Sequence, residues 1–131
     1  KVRMLSPQLQ IYNYVFKKLQ GYGASVIGVK DIKRTIPYPF YMVQRSQNTK
    51  SHETLDMYSG NISLMIHLYS LADDELKHDK YLRIADKIVS SPFNLDGYQV
   101  VTLSVDFKTL IDNTTNACLL HSVLTVEFKV Y

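Results

Sequence analysis

A chain of 131 residues, 46% hydrophobic and 21% charged, has the size and composition of one soluble globular domain, so a single unit over 1–131 is expected and neither a disordered chain nor a membrane protein. Its 15 basic and 12 acidic residues give a formal net charge of +3, spread along the sequence rather than gathered into the stripe or patch of a nucleic-acid binder. The opening Lys1-Val-Arg-Met-Leu-Ser-Pro7 lacks the apolar core of a signal peptide, so secretion is not expected, and the lone Cys118 excludes an internal disulfide and fits a reducing compartment.

Ser6-Pro7 reads as a helix start, the serine hydroxyl capping free N–H groups and the proline standing where its missing N–H costs nothing. Leu9, Tyr12, Val15, Phe16 and Leu19 recur at helical spacing until Gly21 and Gly23, which predicts a first helix over 7–20. Ser25–Lys30 is a short strand candidate. In Ile36-Pro-Tyr-Pro-Phe-Tyr-Met-Val-Gln44 the two prolines cannot donate to a ladder, so this portion is expected at a strand entrance or sheet edge, with a strand from Phe40 to about Arg45. Residues 45–61 carry few apolar side chains and no period, and a connection of that length is usually functional or disordered.

Ile62, Leu64, Ile66 and Leu68 alternate with Ser63, Met65, His67 and Tyr69, a strand whose second face is hardly polar and which is therefore expected in the middle of a sheet. Asp73-Asp-Glu75 puts negative charge at the start of a second helix over 73–90, buried along Tyr81, Leu82, Ala85, Ile88 and Val89 and stopped by Ser90-Ser-Pro92, with His78 and Asp79 on its solvated side. Gly97 suits a turn with positive φ. Val101, Leu103, Val105 and Phe107 then alternate with Thr102, Ser104 and Asp106 in a one-sided strand, and Leu124, Val126, Phe128 and Val130 alternate with Thr125, Glu127 and Lys129 in a last one. The order is α-β-β-β-α-β-β, an α+β domain: a mainly antiparallel sheet with two helices on one face, where Val15, Phe16, Ile88 and Val89 meet Val101, Leu103, Val126 and Phe128.

Catalytic signatures are missing: no glycine-rich phosphate loop, nucleophile elbow or HExxH is present, and no enzyme is expected. Cys118 and His121 could form a thiolate pair, but a spacing of three in a strand sends them to opposite faces. His52, His67, His78 and His121 stand singly, without metal-ligand spacing, and neither metal nor cofactor is expected. Asp73, Asp74 and Glu75 read as helix capping rather than acid–base catalysts, and Lys30, Lys33 and Arg34 as a solvated loop rather than a nucleic-acid patch. Ten tyrosines without a tryptophan are compatible with core packing and with an interface bias.

The succession Leu9-Gln-Ile-Tyr-Asn-Tyr-Val-Phe-Lys-Lys-Leu19, Ile36-Pro-Tyr-Pro-Phe-Tyr-Met-Val43, Gly60-Asn-Ile-Ser-Leu-Met-Ile-His-Leu-Tyr-Ser70, Ile84-Ala-Asp-Lys-Ile88, Leu95-Asp-Gly-Tyr-Gln-Val-Val-Thr-Leu103 and His121-Ser-Val-Leu-Thr-Val-Glu-Phe-Lys-Val130 resembles the tail-completion, or tail-terminator, proteins of long-tailed bacteriophages. The likeness covers nearly the whole chain and lies in the order and separation of these pieces rather than in any one of them. It implies a virion protein made in the host cytoplasm, forming a ring of six subunits at the head-proximal end of the tail tube. Such a ring stops tube growth and offers a surface to the head–tail connector, with DNA only passing through its lumen. The resemblance further implies that the 45–61 loop, with Arg45, Lys50, His52, Glu53 and Asp56, faces the lumen or a neighbouring ring. Tyr38, Phe40 and Tyr41, at the proline-marked edge, are the expected subunit contact, since tyrosine-rich edges suit interfaces. The alternative is a small nucleic-acid-binding or ligand-binding α+β domain.

Overall fold

Ser6 caps the first helix through its side-chain oxygen, which accepts a hydrogen bond from the Leu9 N–H at 3.3 Å. The computed structural model describes residues 6–31, 36–45, 49–50, 60–113 and 117–130. Helix α1 spans Pro7–Gln20 and buries Ile11, Val15 and Leu19, so its stripe is centred on Ile11 and leaves Leu9, Tyr12 and Phe16 half-buried at the margins. Strand β1 (Ser25–Gly28) leads through a 3₁₀ turn at Val29–Asp31 towards β2 (Phe40–Arg45), and the two-residue β3 (Thr49–Lys50) precedes β4 (Gly60–Leu71). Helix α2 (Glu75–Ser90), β5 (Phe93–Leu95), β6 (Tyr98–Asp112) and β7 (Leu119–Val130) complete the chain. Gly97, between β5 and β6, has φ 84°, the left-handed turn conformation in which glycine carries no Cβ penalty.

The strands form one sheet in the order β1-β2-β4-β7-β6-β5, antiparallel throughout except for the β1–β2 pair, with β3 beside the start of β4. This is the expected α+β fold. Both helices cover one face. Ile11, Val15 and Leu19 of α1 and Ala85, Ile88 and Val89 of α2 pack with Tyr41, Val43, Ile62, Leu64, Ile66, Leu68, Leu124, Val126, Phe128 and Val130 in a single buried cluster. Strand β4 lies at the centre, paired to β2 and β7, in keeping with its apolar second face.

Three expectations are corrected by this arrangement. Strand β2 is not an edge, because β1 pairs parallel to it on the side away from β4 (Ser25 with Phe40, Gly28 with Val43); the prolines stand before the ladder and break none of its bonds. His78 is not on the solvated side of α2 but buried against the sheet. On β6, Val101 and Leu103 are exposed and contribute nothing to the helix-facing core. A bulge is the reason: Thr102 opposes Phe128 and Ser104 opposes Glu127, so Leu103 is an extra residue that reverses the alternation. Before the bulge Val100 is buried and Thr102 Oγ1 donates to the Val89 carbonyl; after it Val105 packs on the core, opposite Val126.

Candidate interaction surface

Fifteen residues long, β6 outruns every neighbour on its outer side. Its inner side pairs with β7 along nearly its whole length, while its outer side meets only β5, at Tyr98–Val100. From Val101 to Ile111 the outer edge has no strand partner among the described residues, which leaves a row of backbone N–H and C=O groups facing outwards. Side chains here are apolar as well: Leu103 is 49% exposed, Phe107 49%, Leu110 45% and Ile111 64%. Phe107 opposes the fully buried Leu124 and so lies on the helix side, yet stays half open because the edge has nothing beyond it. No proline interrupts the run, and Asp106 and Lys108 are its only charges before the terminal Asp112. A long edge of this kind with exposed apolar side chains is a template for pairing with another strand.

The sheet face away from the helices carries a ladder of rings. Phe40, Tyr69, His121 and Leu110 occupy one row across β2, β4, β7 and β6. Phe40 stacks on Tyr69 with centroids 5.0 Å apart, and Tyr69 on His121 at 4.2 Å. One step along, His67 Nδ1 lies 2.9 Å from His121 Nε2, and His67 Nε2 lies 2.9 Å from Gln44 Oε1. The amide oxygen is an acceptor, so His67 donates from Nε2 and accepts at Nδ1 from the His121 Nε2–H. Burial holds both imidazoles below the ordinary histidine pKa; the neighbouring His121 lowers His67 further, whereas Asp112 partly offsets the effect at His121. The pair is thus a neutral, hydrogen-bonded unit near neutral pH. Phe40, Met42 and Ile27 close a small second core beside it, with Ile36 and Tyr69 at its margin.

On the helix side His78 joins α2 to the sheet. Its Nδ1 is 2.8 Å from Ser70 Oγ and its Nε2 is 2.7 Å from Ser122 Oγ, which is itself 2.8 Å from Thr109 Oγ1. A neutral imidazole here donates to one serine and accepts from the other, satisfying three buried polar groups at once. His78, Ser70 and Ser122 are all buried, so the group reads as a structural clamp between helix and sheet. A shallow cleft of about 330 Å³ between α1 and the 3₁₀ turn is lined by Tyr12, Asn13, Phe16, Lys17, Lys30 and Asp31, among others. It mixes both charge signs.

The residues expected from the sequence differ widely in burial. Tyr41 and Phe40 are corrected as contact residues. Tyr41 is fully buried with its hydroxyl donating to the Tyr81 carbonyl, its pKa pushed up by burial, and Phe40 is buried in the second core. Tyr38 is exposed beside Phe40, with ring centroids 5.7 Å apart. Arg45 reaches over the Tyr12 ring, and Lys50 is described only in its backbone pairing with Gly60. His52, Glu53, Asp56, Lys33 and Arg34 lie outside the described residues. Cys118 is exposed just before β7, and His121 turns to His67 instead. Among the described residues no group of three or more His, Cys, Asp or Glu could hold a metal ion, and no helix is long and apolar enough to cross a membrane. Sequence reading missed the β6 edge, because which strand is left without a neighbour is a property of sheet order. The signal that was available is the unusual length of the 98–112 run with apolar residues on both parities.

No family model matches the chain, and no curated protein does. Solved structures do match: one superposes over 97% of this chain and 97% of its own with a TM-score of 0.63, at 10% sequence identity. At that identity the likeness speaks for the fold alone.

Proposed function

We propose that this chain is a structural assembly protein of the tail-completion kind, closing a ring of subunits at the head-proximal end of a phage tail tube and joining tail to head. The observation that carries the reading is the outer edge of β6, unpaired among the described residues beyond Val100 and bearing exposed apolar side chains, a surface suited to another protein strand. The order of sequence pieces that resembles the tail-completion family supports it independently. A ring needs a heterologous contact, one patch against a different patch of the neighbour. The two sides of this sheet differ in that way: on one, β6 runs long and open beyond the short β5, and on the other β1 is only four residues long. In this reading the contact moves from the interior β2 to β6, Tyr38 stays available at the surface, and the 45–61 connection faces the lumen or an adjoining ring.

The experiment is to add the purified chain to growing tubes of tail-tube protein and to image the products by negative-stain microscopy. Ring-capped tubes of limited length are the expected result. Tubes that grow on without caps, with the chain remaining in the supernatant, would sink the reading.

A further inference from the structure

We propose that in the free chain the β6 edge pairs with the β6 edge of a second copy, antiparallel about a two-fold axis centred on Phe107. The occupant is set by self-complementarity. Two antiparallel copies of one strand related by a two-fold perpendicular to the sheet must oppose residues of equal parity, so that opposed side chains share a face. Centring on Phe107 puts Asp106 of one copy opposite Lys108 of the other, twice, on the face away from the helices. Phe107 meets its own copy and Val105 meets Thr109 on the helix face. Shifting the centre by one residue either way puts Asp106 on Asp106 or Lys108 on Lys108, and like charges directly opposite one another are destabilising. The charge pattern therefore selects one register among its nearest neighbours.

The remaining geometry is compatible with it. Strand β5 occupies the outer edge only as far as Val100, four residues before Ser104, so the paired segment Ser104–Leu110 is clear of it. The bulge at Leu103 ends regular pairing on that side. Both helix layers remain on the same face of a continuous sheet, and the outward N–H and C=O groups of the edge gain partners. The contact is small, as seven-residue strand pairs are, so the dimer is expected to dissociate on dilution in the micromolar range. Pairing through β6 and a ring contact through the same edge exclude each other. The dimer is thus a closed state of the free chain that a ring partner must displace.

Sedimentation velocity on the full chain over a dilution series tests this, with circular dichroism confirming that each variant is folded. The wild type should dimerise reversibly. Asp106→Lys and Lys108→Asp each turn two attractive cross-strand pairs into two repulsive ones and should weaken dimerisation by about tenfold or more, while the double exchange restores it. In a Cys118→Ser background, Phe107→Cys should cross-link to itself on mild oxidation and Val105→Cys should not, because only position 107 faces its own copy. A monomeric wild type, a double exchange that stays as weak as the single ones, or equal cross-linking at both positions would each overturn the proposal. Tail-tube protein is absent from this experiment, so its failure leaves the ring reading standing, and failure to cap tubes leaves the dimer standing.

Discussion

His67 Nδ1 and His121 Nε2 lie 2.9 Å apart, two imidazoles on neighbouring strands sharing one hydrogen. With the His121 Nε2–H donating, the bond requires His67 Nδ1 to be unprotonated, since a doubly protonated ring has no acceptor to offer. The registers Tyr69 with His121 and His67 with Val123 place the two rings diagonally, close enough for the ring nitrogens to meet.

Stability should fall on acidification. Burial lowers the pKa of His67, His78 and His121, so in the window below the ordinary histidine value the unfolded chain binds protons that the folded chain does not. The sign follows: stability is fully present above about pH 6.5 and is lost progressively as pH falls towards the depressed folded values. Urea midpoints measured from neutral to mildly acidic pH should drop over that interval, and His67→Gln should flatten the slope. A midpoint independent of pH across the interval would contradict the neutral histidine pair.

Removing the His78 clamp should destabilise without disturbing the opposite face. His78→Ala leaves Ser70 and Ser122 without the ring nitrogens that they meet at 2.8 and 2.7 Å, a loss expected at about 2–3 kcal/mol from unsatisfied buried groups and the vacated space. Replacing Ser70 and Ser122 by alanine together with His78→Leu should recover part of it, because removing the buried polar partners together is less costly than removing one, and the remaining Thr109 is exposed to water. Chemical denaturation of the single and triple variants measures both quantities.

Tyr41 separates a core role from an interface role. Tyr41→Phe loses one hydrogen bond to the Tyr81 carbonyl and should cost about 0.5–1.5 kcal/mol. Tyr41→Asp buries a carboxylate among apolar side chains and should leave no folded chain near neutral pH. Near-ultraviolet dichroism distinguishes this from a folded monomer that merely fails to assemble.

Phe128→Ala should destabilise by about 3–5 kcal/mol, the range for deleting a buried phenylalanine. Its ring is fully buried and meets Phe93 edge-on at 5.8 Å between centroids, so the cavity opens between β5 and β7 beneath the helices. A thermal or denaturant melt showing a loss below about 1 kcal/mol would mean that the site collapses to fill the space.

Gly28→Ala tests a close approach. A Cβ built there would lie 2.9 Å from the Tyr12 hydroxyl, whose pKa is already raised by burial. The far end of the tyrosine must give way, at a cost of about 1 kcal/mol, the low end of the range for overpacking. Tyr12→Phe in the same chain should remove most of that cost, giving a coupling in a double-mutant cycle.

Much of the fold was legible in local patterns. The Ser6-Pro7 start, the stop near Gly21, the limits of β2 and the positive φ at Gly97 follow from capping, steric and turn chemistry that acts within a few residues. The alternation in β4 and β7 named their buried faces, because pleat periodicity is local too. Tertiary structure decided the rest. Pairing of β1 on the outside of β2 turned a proline-marked edge into an interior strand and Tyr41 into a core residue. One extra residue at Leu103 reversed which side of β6 faces the helices, since a bulge changes parity without changing composition. His78 and the His67–His121 pair acquired their partners from strands and helices distant in sequence, and β6 became an open edge because β5 covers it no further than Val100 and no other described strand lies beyond. Periodicity constrains each element from within; neighbours, register and edges are relations between elements, and only their packing sets them.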